Sequence, residues 1–325
     1  MTMWSSLYGR NARRIAEICA AVKKGEKVVV VTDYKKAHIG EAIAAACEGL
    51  EADVTMTVMA PKKMHNEELS APVSAAMAEA DVIIAPTTFS IAHTLGRVNA
   101  CKRGARVVNL PAYADDTMIS GAIDVDYQAV APSVRRMADA LTKAKVAHVY
   151  TDLGTDMVLE LEGRDGAALV GMSHNPGEFC TVPDVEARIT PLEGKSNGII
   201  IVDGAIPLPQ INLVRNPFKV TVKDGYVVDI EGGSEAEIFA EVLRECNDPL
   251  VYNIAELGIG MNPNAKMVGV MTEDEGCLGT VHIAVGTNAA FGGTVRTALH
   301  VDMMFRNAVV ELDGVKVLDK GKILV

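Results

Sequence analysis

The sequence predicts an α/β protein in two parts. An amino-terminal α/β domain with a parallel sheet is expected over residues 1–150, and a mostly antiparallel β (α+β), metal-binding domain over 151–325. Three observations predict this: continuous β-branched runs alternating with helical stretches in the first half, hairpin-type turns in the second, and a length of 325 residues, about two domains' worth.

The first half is read element by element. Lys27 to Asp33 is an apolar run with the character of a buried strand, followed by a helix over Ile39 to Leu50. Asp53 to Met59 gives the next strand, and a helix follows around Glu67 to Glu79. Asp81 to Pro86 and Arg106 to Pro111 are the third and fourth strands; a helix over Gln128 to Ala144 then leads to Ala147-His148-Val149-Tyr150. No G-x-G-x-x-G follows the first strand, where Thr32-Asp33-Tyr34-Lys35-Lys36 stands, so a dinucleotide-binding reading is rejected.

Beyond residue 150 the signals become antiparallel. Asn197-Gly198, Asp224-Gly225 and Asp313-Gly314 are turn dipeptides. The second of these is expected to join Lys219–Val222 to Tyr226–Asp229, and the third to join Val309–Leu312 to Val315–Leu318. One helix, Ser234 to Cys246, interrupts this half, with Ser234 and Glu237 spaced as a capping box.

Composition narrows the function classes. Apolar residues make up 49% of the chain and aromatics 4%, the balance of an aliphatic, close-packed enzyme. A formal charge of −11 without a clustered Lys/Arg face argues against nucleic acid as partner. No segment approaches eighteen uninterrupted apolar residues and the amino terminus lacks an export pattern, so a cytoplasmic protein with no membrane partner is expected. Six scattered cysteines without C-x-x-C pairing read as free thiols.

The chemistry concentrates in the second half. In Ala298 to Phe305 the alternation reads as a strand, so His300 and Asp302, two apart, share a face. A second strand, Leu278 to Gly286, carries His282 in its apolar run, while Glu178 and Glu256 lie in glycine-punctuated turns. Two imidazoles and three carboxylates are the kit for one or two divalent ions, with Zn, Mn, Co or Fe the suited metals. Glu273 and Asp274 read as solvated surface acids, and Asp302 has a second reading as salt-bridge partner of Arg296 or Arg306. Residues 288–294 read as a flexible lid between the histidine strands, with Arg296 and Lys266 as basic candidates for a substrate carboxylate.

Three stretches carry a resemblance. They are Asn175-Pro176-Gly177-Glu178-Phe179-Cys180-Thr181, the run from Asn253 through Glu256 to Pro263, and Asp274-Glu275 leading through Gly279-Thr280-Val281-His282 to His300-Val301-Asp302. Together they resemble the thermophilic aminopeptidase T family of metallopeptidases, whose fold relatives include 2,5-dihydroxypyridine 5,6-dioxygenase. The resemblance implies Glu178, Glu256, His282, His300 and Asp302 as ligands of a two-metal centre bridged by Glu256. It implies Glu275 as general base, counts Glu178 as catalytic as well as ligating, and implies a homodimer. The dioxygenase branch carries a histidine where Glu256 stands and lacks one at His282, so on this comparison the chain keeps the hydrolase-type set.

The expectation is therefore a cytoplasmic, aminopeptidase-like metallohydrolase that cleaves an amide bond of a small molecule or short peptide through metal-bound hydroxide. Its cleft is expected between the two domains. The alternative is a non-haem Fe(II) ring-cleaving dioxygenase acting on a dihydroxypyridine-like N-heterocycle, with His282, His300 and Asp302 as a facial triad. A third reading leaves the metal purely structural.

Overall fold

The computed structural model describes residues 3–325. The chain divides into two compact units, the first made of Met1–Ala129 and Leu169–Asp184, the second of Val130–Ala168 and Val185–Val325.

The first unit is built on a parallel sheet in the order Asp53–Met59, Lys27–Asp33, Val82–Thr87, Arg106–Pro111, Phe179–Thr181. Its inner strands have apolar centres and are buried along almost their whole length because both faces are covered. On one side Val29, Val31, Ile83, Ala85 and Val107 pack with Val73 and Met77 of the helix Ala71–Ala78 and Ala100 of the helix Leu95–Lys102. Val28, Val30, Ile84 and Val108 alternate with them and are fully buried too. The helix predicted over Glu67 to Glu79 is shorter than expected, because Pro72 in its first turn starts it at Ala71.

The second unit holds two large antiparallel sheets and a two-stranded one, Ala205–Ile206 with Asn212–Leu213. The larger has eight strands in the order Tyr226–Glu231, Phe218–Lys223, Asn197–Val202, Asp156–Glu160, Val146–Tyr150, Val309–Leu312, Val315–Asp319, Lys322–Ile323. Both hairpins expected at Asp224-Gly225 and Asp313-Gly314 form, with positive φ at all four residues as their tight turns require. Asn197-Gly198 is not a turn. It opens the strand Asn197–Val202, where Gly198 is needed because a Cβ there would lie 2.0 Å from the carbonyl oxygen of Asp156. The capping box at Ser234 also does not form: Gly233 is the N-cap, and the Ser234 hydroxyl donates to Glu235.

The smaller sheet orders His300–Phe305, Val281–Gly286, Ile254–Gly260, Glu186–Ile189 and Ala167–Leu169. Side chains alternate across it. One face presents Ala187, Ile189, Leu257, Ile259, Val281, Ile283, Val285, Val301, Met303 and Phe305, all buried apolar groups. At roughly 1.5–3 kcal/mol for each large side chain removed from water, that face anchors the sheet. The opposite face holds the polar residues. Among the described residues no helix is long and apolar enough to cross a membrane.

Candidate metal centre

Register brings the polar face together. Gly258 lies opposite both His282 and Arg188, and Glu256 opposite Ala284. Ala284 in turn faces Asp302, Gly286 faces His300, and Gly260 faces Glu186. Since Glu186 and Arg188, Glu256, His282, and His300 and Asp302 share one parity across the four strands, their side chains emerge on one side. Small residues between them leave the space. A Cβ on Gly258 would lie 2.0 Å from His282 Nε2, so the imidazole lies across this glycine.

The sequence suggests a turn at Glu256, but its glycine-rich run is a fully buried strand. Gly258 admits the His282 ring, and Gly260 admits the chain at Glu275 to Thr280, with the Cys277 carbonyl oxygen 2.2 Å from where a Cβ would sit.

The distances describe a tight cluster. His300 Nε2 stands 3.4 Å from Glu256 Oε2 and 3.5 Å from Asp302 Oδ1. His282 Nε2 stands 4.0 Å from Glu256 Oε1, 4.0 Å from Asp302 Oδ1 and 3.6 Å from Glu186 Oε2. Glu186, Glu256, His282 and Asp302 are each no more than 6% exposed. These separations exceed a strong hydrogen bond, about 2.7–3.2 Å. Each pair falls within the roughly 3.0 to 4.2 Å that separates two donors on one cation at bonds of about 2.0–2.2 Å, and one ligand atom each of Glu186, Glu256 and His282 lie within 4.8 Å of one another.

His300 supplies a second test of fit. Its Nδ1 lies 2.8 Å from the carbonyl oxygen of Thr287. A carbonyl can only accept, so Nδ1 carries the proton and Nε2, which faces the carboxylates, keeps its lone pair for a metal. His282 Nδ1 has no hydrogen-bond partner among the described residues. The donor set of imidazoles and carboxylates suits a divalent first-row metal, and the residues present fit one.

Electrostatics without an ion point the same way. Burial alone would raise Glu256, but Arg188 and the two histidines outweigh it and hold its carboxyl well below the usual range. Burial opposes protonation of His282, yet Glu186, Glu256 and Asp302 push it up to about 9. His300 is likewise raised well above its ordinary value despite burial, by Asp302 and Glu256. In the absence of a cation, protons take its place among the carboxylates.

Four of the five predicted ligands are brought together: Glu256, His282, His300 and Asp302. Glu178 belongs to the first unit, where its carboxylate accepts from the backbone N–H groups of His174 and Asn175 and from the Asn175 side chain, closing a turn. The carboxylate in the cluster is Glu186, which sequence reasoning missed. A signal was present, since Val185-Glu186-Ala187-Arg188-Ile189 alternates strictly. Glu275 caps the short helix Met271–Asp274 and is half-buried.

Neighbouring expectations change as well. Glu273 and Asp274 are buried rather than solvated. Burial raises Asp274 to about 6, even though backbone N–H groups of Val268 and Gly269 donate to it. Arg306 turns to Asp203 instead of Asp302, and Arg296 and Lys266 are exposed. The guanidinium that reaches the cluster is that of Arg188, with Nη1 at 3.3 and 3.2 Å from the two oxygens of Glu256. The guanidinium also meets the ring of Phe291, whose centroid lies 4.0 Å from the guanidinium carbon. Phe291 in turn meets the His300 ring edge-on at 5.1 Å.

Residues 288–294, expected to be a flexible lid, form a stapled turn. Glu193 accepts from the side chains of Asn288 and Thr294 and from the Thr294 backbone N–H. Arg164 ties Glu193 to the carbonyl of Gly292. The reason is a half-buried acid outside the loop, Glu193, which local sequence does not display. Beside this turn lies a recess of about 220 Å³ lined by Asp165, Ala167, Arg188, Ile189, Thr190 and Phe291, among others.

Comparison with known proteins bears on the reaction. The family model for 2,5-dihydroxypyridine 5,6-dioxygenase matches residues 11–325. A 2,5-dihydroxypyridine 5,6-dioxygenase of Pseudomonas putida strain KT2440 is 28% identical over 194 residues, 57% of this chain and 55% of its own length. The matched region thus spans about half of that curated relative. The structure of 2,5-dihydroxypyridine dioxygenase from Pseudomonas putida KT2440 superposes with a TM-score of 0.83 at 21% identity, covering 99% of this chain and 98% of that one. Wild-type AmpT from Thermus thermophilus superposes with a TM-score of 0.71 at 14% identity, over 99% of this chain and 100% of its own. The two superpositions show the fold, α/β with a parallel-sheet unit and a mostly antiparallel one.

These matches correct the expected reaction. The hydrolase, aminopeptidase and protease reading is overturned by a family model that runs from residue 11 to the last residue and describes a dioxygenase. The likeness to aminopeptidase T is one of fold. The physical reason for the error is that imidazole and carboxylate donors serve both chemistries, so ligand types alone do not separate amide hydrolysis from oxygen chemistry.

Proposed function

Since the chain belongs to the 2,5-dihydroxypyridine 5,6-dioxygenase family, we propose that it cleaves the ring of a dihydroxylated N-heterocycle with dioxygen, using a metal held on the polar face of its smaller antiparallel sheet. The observation that carries this reading is that the Nε2 atoms of His282 and His300 each lie 3.4–4.0 Å from carboxylate oxygens of both Glu256 and Asp302, in a chain matched along almost its whole length by that family. Two imidazoles and a carboxylate from rigid strands are the donor set of non-haem iron oxygenases. Iron(II), when bound, supplies the redox chemistry that lets dioxygen react with the ring.

The chain's own groups do the rest. The Thr287 carbonyl fixes the His300 tautomer and ring plane, so Nε2 is presented without reorganisation. The buried apolar face behind the strands keeps the donors from moving apart. The recess beside Arg188 and Phe291 is of a size for a single-ring molecule, and these two residues touch Glu256 and His300 respectively. Arg188 there faces the acidic hydroxyl side of such a ring, while Phe291 and Ile189 offer it apolar contact.

The test is oxygen uptake. Protein loaded anaerobically with Fe(II) and given 2,5-dihydroxypyridine is expected to consume dioxygen in step with loss of the ring's ultraviolet absorbance, and to do neither under argon. Turnover that proceeds equally well under argon would refute the reading.

A further inference from the structure

The polar face carries more negative charge than a single two-histidine, one-carboxylate site requires. Glu186, Glu256 and Asp302 contribute three carboxylates, and their contacts to the imidazoles fall into two groups. His300 with Glu256 Oε2 and Asp302 forms one, and His282 with Glu256 Oε1 and Glu186 forms the other. Glu256 is common to both, and the groups adjoin, since Asp302 Oδ1 also stands 4.0 Å from His282 Nε2. Donors alone would therefore admit two cations sharing Glu256.

Arg188 stands against that. Its Nη1 is almost equidistant from the two Glu256 oxygens, at 3.3 and 3.2 Å, so it occupies the position between them and engages both. The guanidinium is held there from its other side by the Phe291 ring at 4.0 Å. The Phe291 backbone is itself fixed by a hydrogen bond from the Thr190 hydroxyl at 2.8 Å. Three carboxylates and one guanidinium sum to two negative charges, which one divalent ion neutralises. A second ion would leave the buried cluster with two uncompensated positive charges beside a fixed guanidinium.

We propose that Arg188 is a positioning residue that limits the site to one divalent cation, by occupying Glu256 and completing the charge balance. This rests on the reading of the cluster as a metal site. It goes beyond that reading by assigning the stoichiometry to a side chain that is not a ligand.

The experiment uses Mn²⁺ alone as the probe, with full-length protein freed of metal. Equilibrium dialysis counts bound ions, and electron paramagnetic resonance distinguishes isolated from exchange-coupled Mn²⁺. Native protein is expected to bind one ion per chain with an uncoupled signal. Arg188→Met, which removes the charge and keeps an unbranched side chain, is expected to bind two with a coupled signal. Arg188→Gln should do the same if the methionine variant does not fold, because it removes the charge while keeping a donor to Glu256. Arg188→Lys restores the charge and should return the count to one. One ion in both native protein and a folded neutral variant would overturn the role of Arg188 while leaving the metal site standing. Two ions in native protein would overturn it as well. No ion in native protein would overturn the metal reading itself.

Discussion

The parallel sheet of the first unit and the smaller antiparallel sheet of the second solve opposite problems with similar strands. In the first, Val28 to Val31 and Val82 to Ala85 are buried apolar residues on both faces. In the second, Leu257, Ile283 and Val301 are buried on one face, while Glu256, His282 and Asp302 are buried on the other. A sheet with two apolar faces gains stability from each. A sheet that buries imidazoles and carboxylates gains from one face only and holds the other in a state that a cation completes.

The comparison breaks most visibly at Glu256. Replacing it with Ala leaves Arg188 and two histidines without their central counter-charge, and removing one partner of a buried pair costs about 3–5 kcal/mol. Chemical denaturation of Glu256→Ala is expected to show a loss of that size, together with loss of bound metal. Native stability with full metal content would contradict the assignment. Ile83→Ala in the parallel sheet is the matching control. It leaves a cavity and is expected to cost about 2–5 kcal/mol. Metal bound per folded chain, read by elemental analysis, should stay unchanged, and a drop would mean that the two sheets do not divide the work as described.

Gly258→Ala sharpens the comparison with a smaller effect. The new Cβ would fall 2.0 Å from His282 Nε2 and must displace the ring. Metal affinity is expected to fall about 10- to 100-fold, the usual range for disturbing a ligand's support. Competition with a chelator measures this, and unchanged affinity would show that His282 does not ligate.

A further effect concerns pH in the metal-free protein. His282 is raised from 6.5 to about 9 by Glu186, Glu256 and Asp302 against the effect of burial. A group whose folded value lies above its unfolded value contributes stability that is complete below about pH 6.5 and is lost as pH rises through about 9. Melting of the metal-free protein between pH 6 and 9.5 should show a decline of about 3 kcal/mol. A metal-loaded sample should lack it, because bound imidazole is already neutral.

Much of this was legible in the residues. The four parallel strands follow from uninterrupted β-branched runs, and His300 and Asp302 follow from alternation along one strand. The residues also single out Glu256 and His282, though Glu256 reads as part of a turn, because Gly258 and Gly260 beside it mimic loop composition. They are instead clearances for a ring and a neighbouring backbone. Glu186 and Arg188 escaped because their strand is four residues long, too short for its alternation to stand out, and because the Pro176-Gly177-Glu178 motif eight residues upstream drew the assignment. The stapled turn at 288–294 was hidden for a different reason: its anchor, Glu193, lies about a hundred residues away in the chain. The reaction itself was not legible, since the same donors serve a hydrolytic or an oxidative metal.

The most direct test of the central claim, that this sheet face serves oxygen-dependent ring cleavage, is isotopic. With Fe(II)-loaded protein and 2,5-dihydroxypyridine under ¹⁸O₂, mass spectrometry is expected to find both labelled atoms in the ring-opened product, and His300→Ala should yield none. A product whose new oxygen comes only from water would contradict the account.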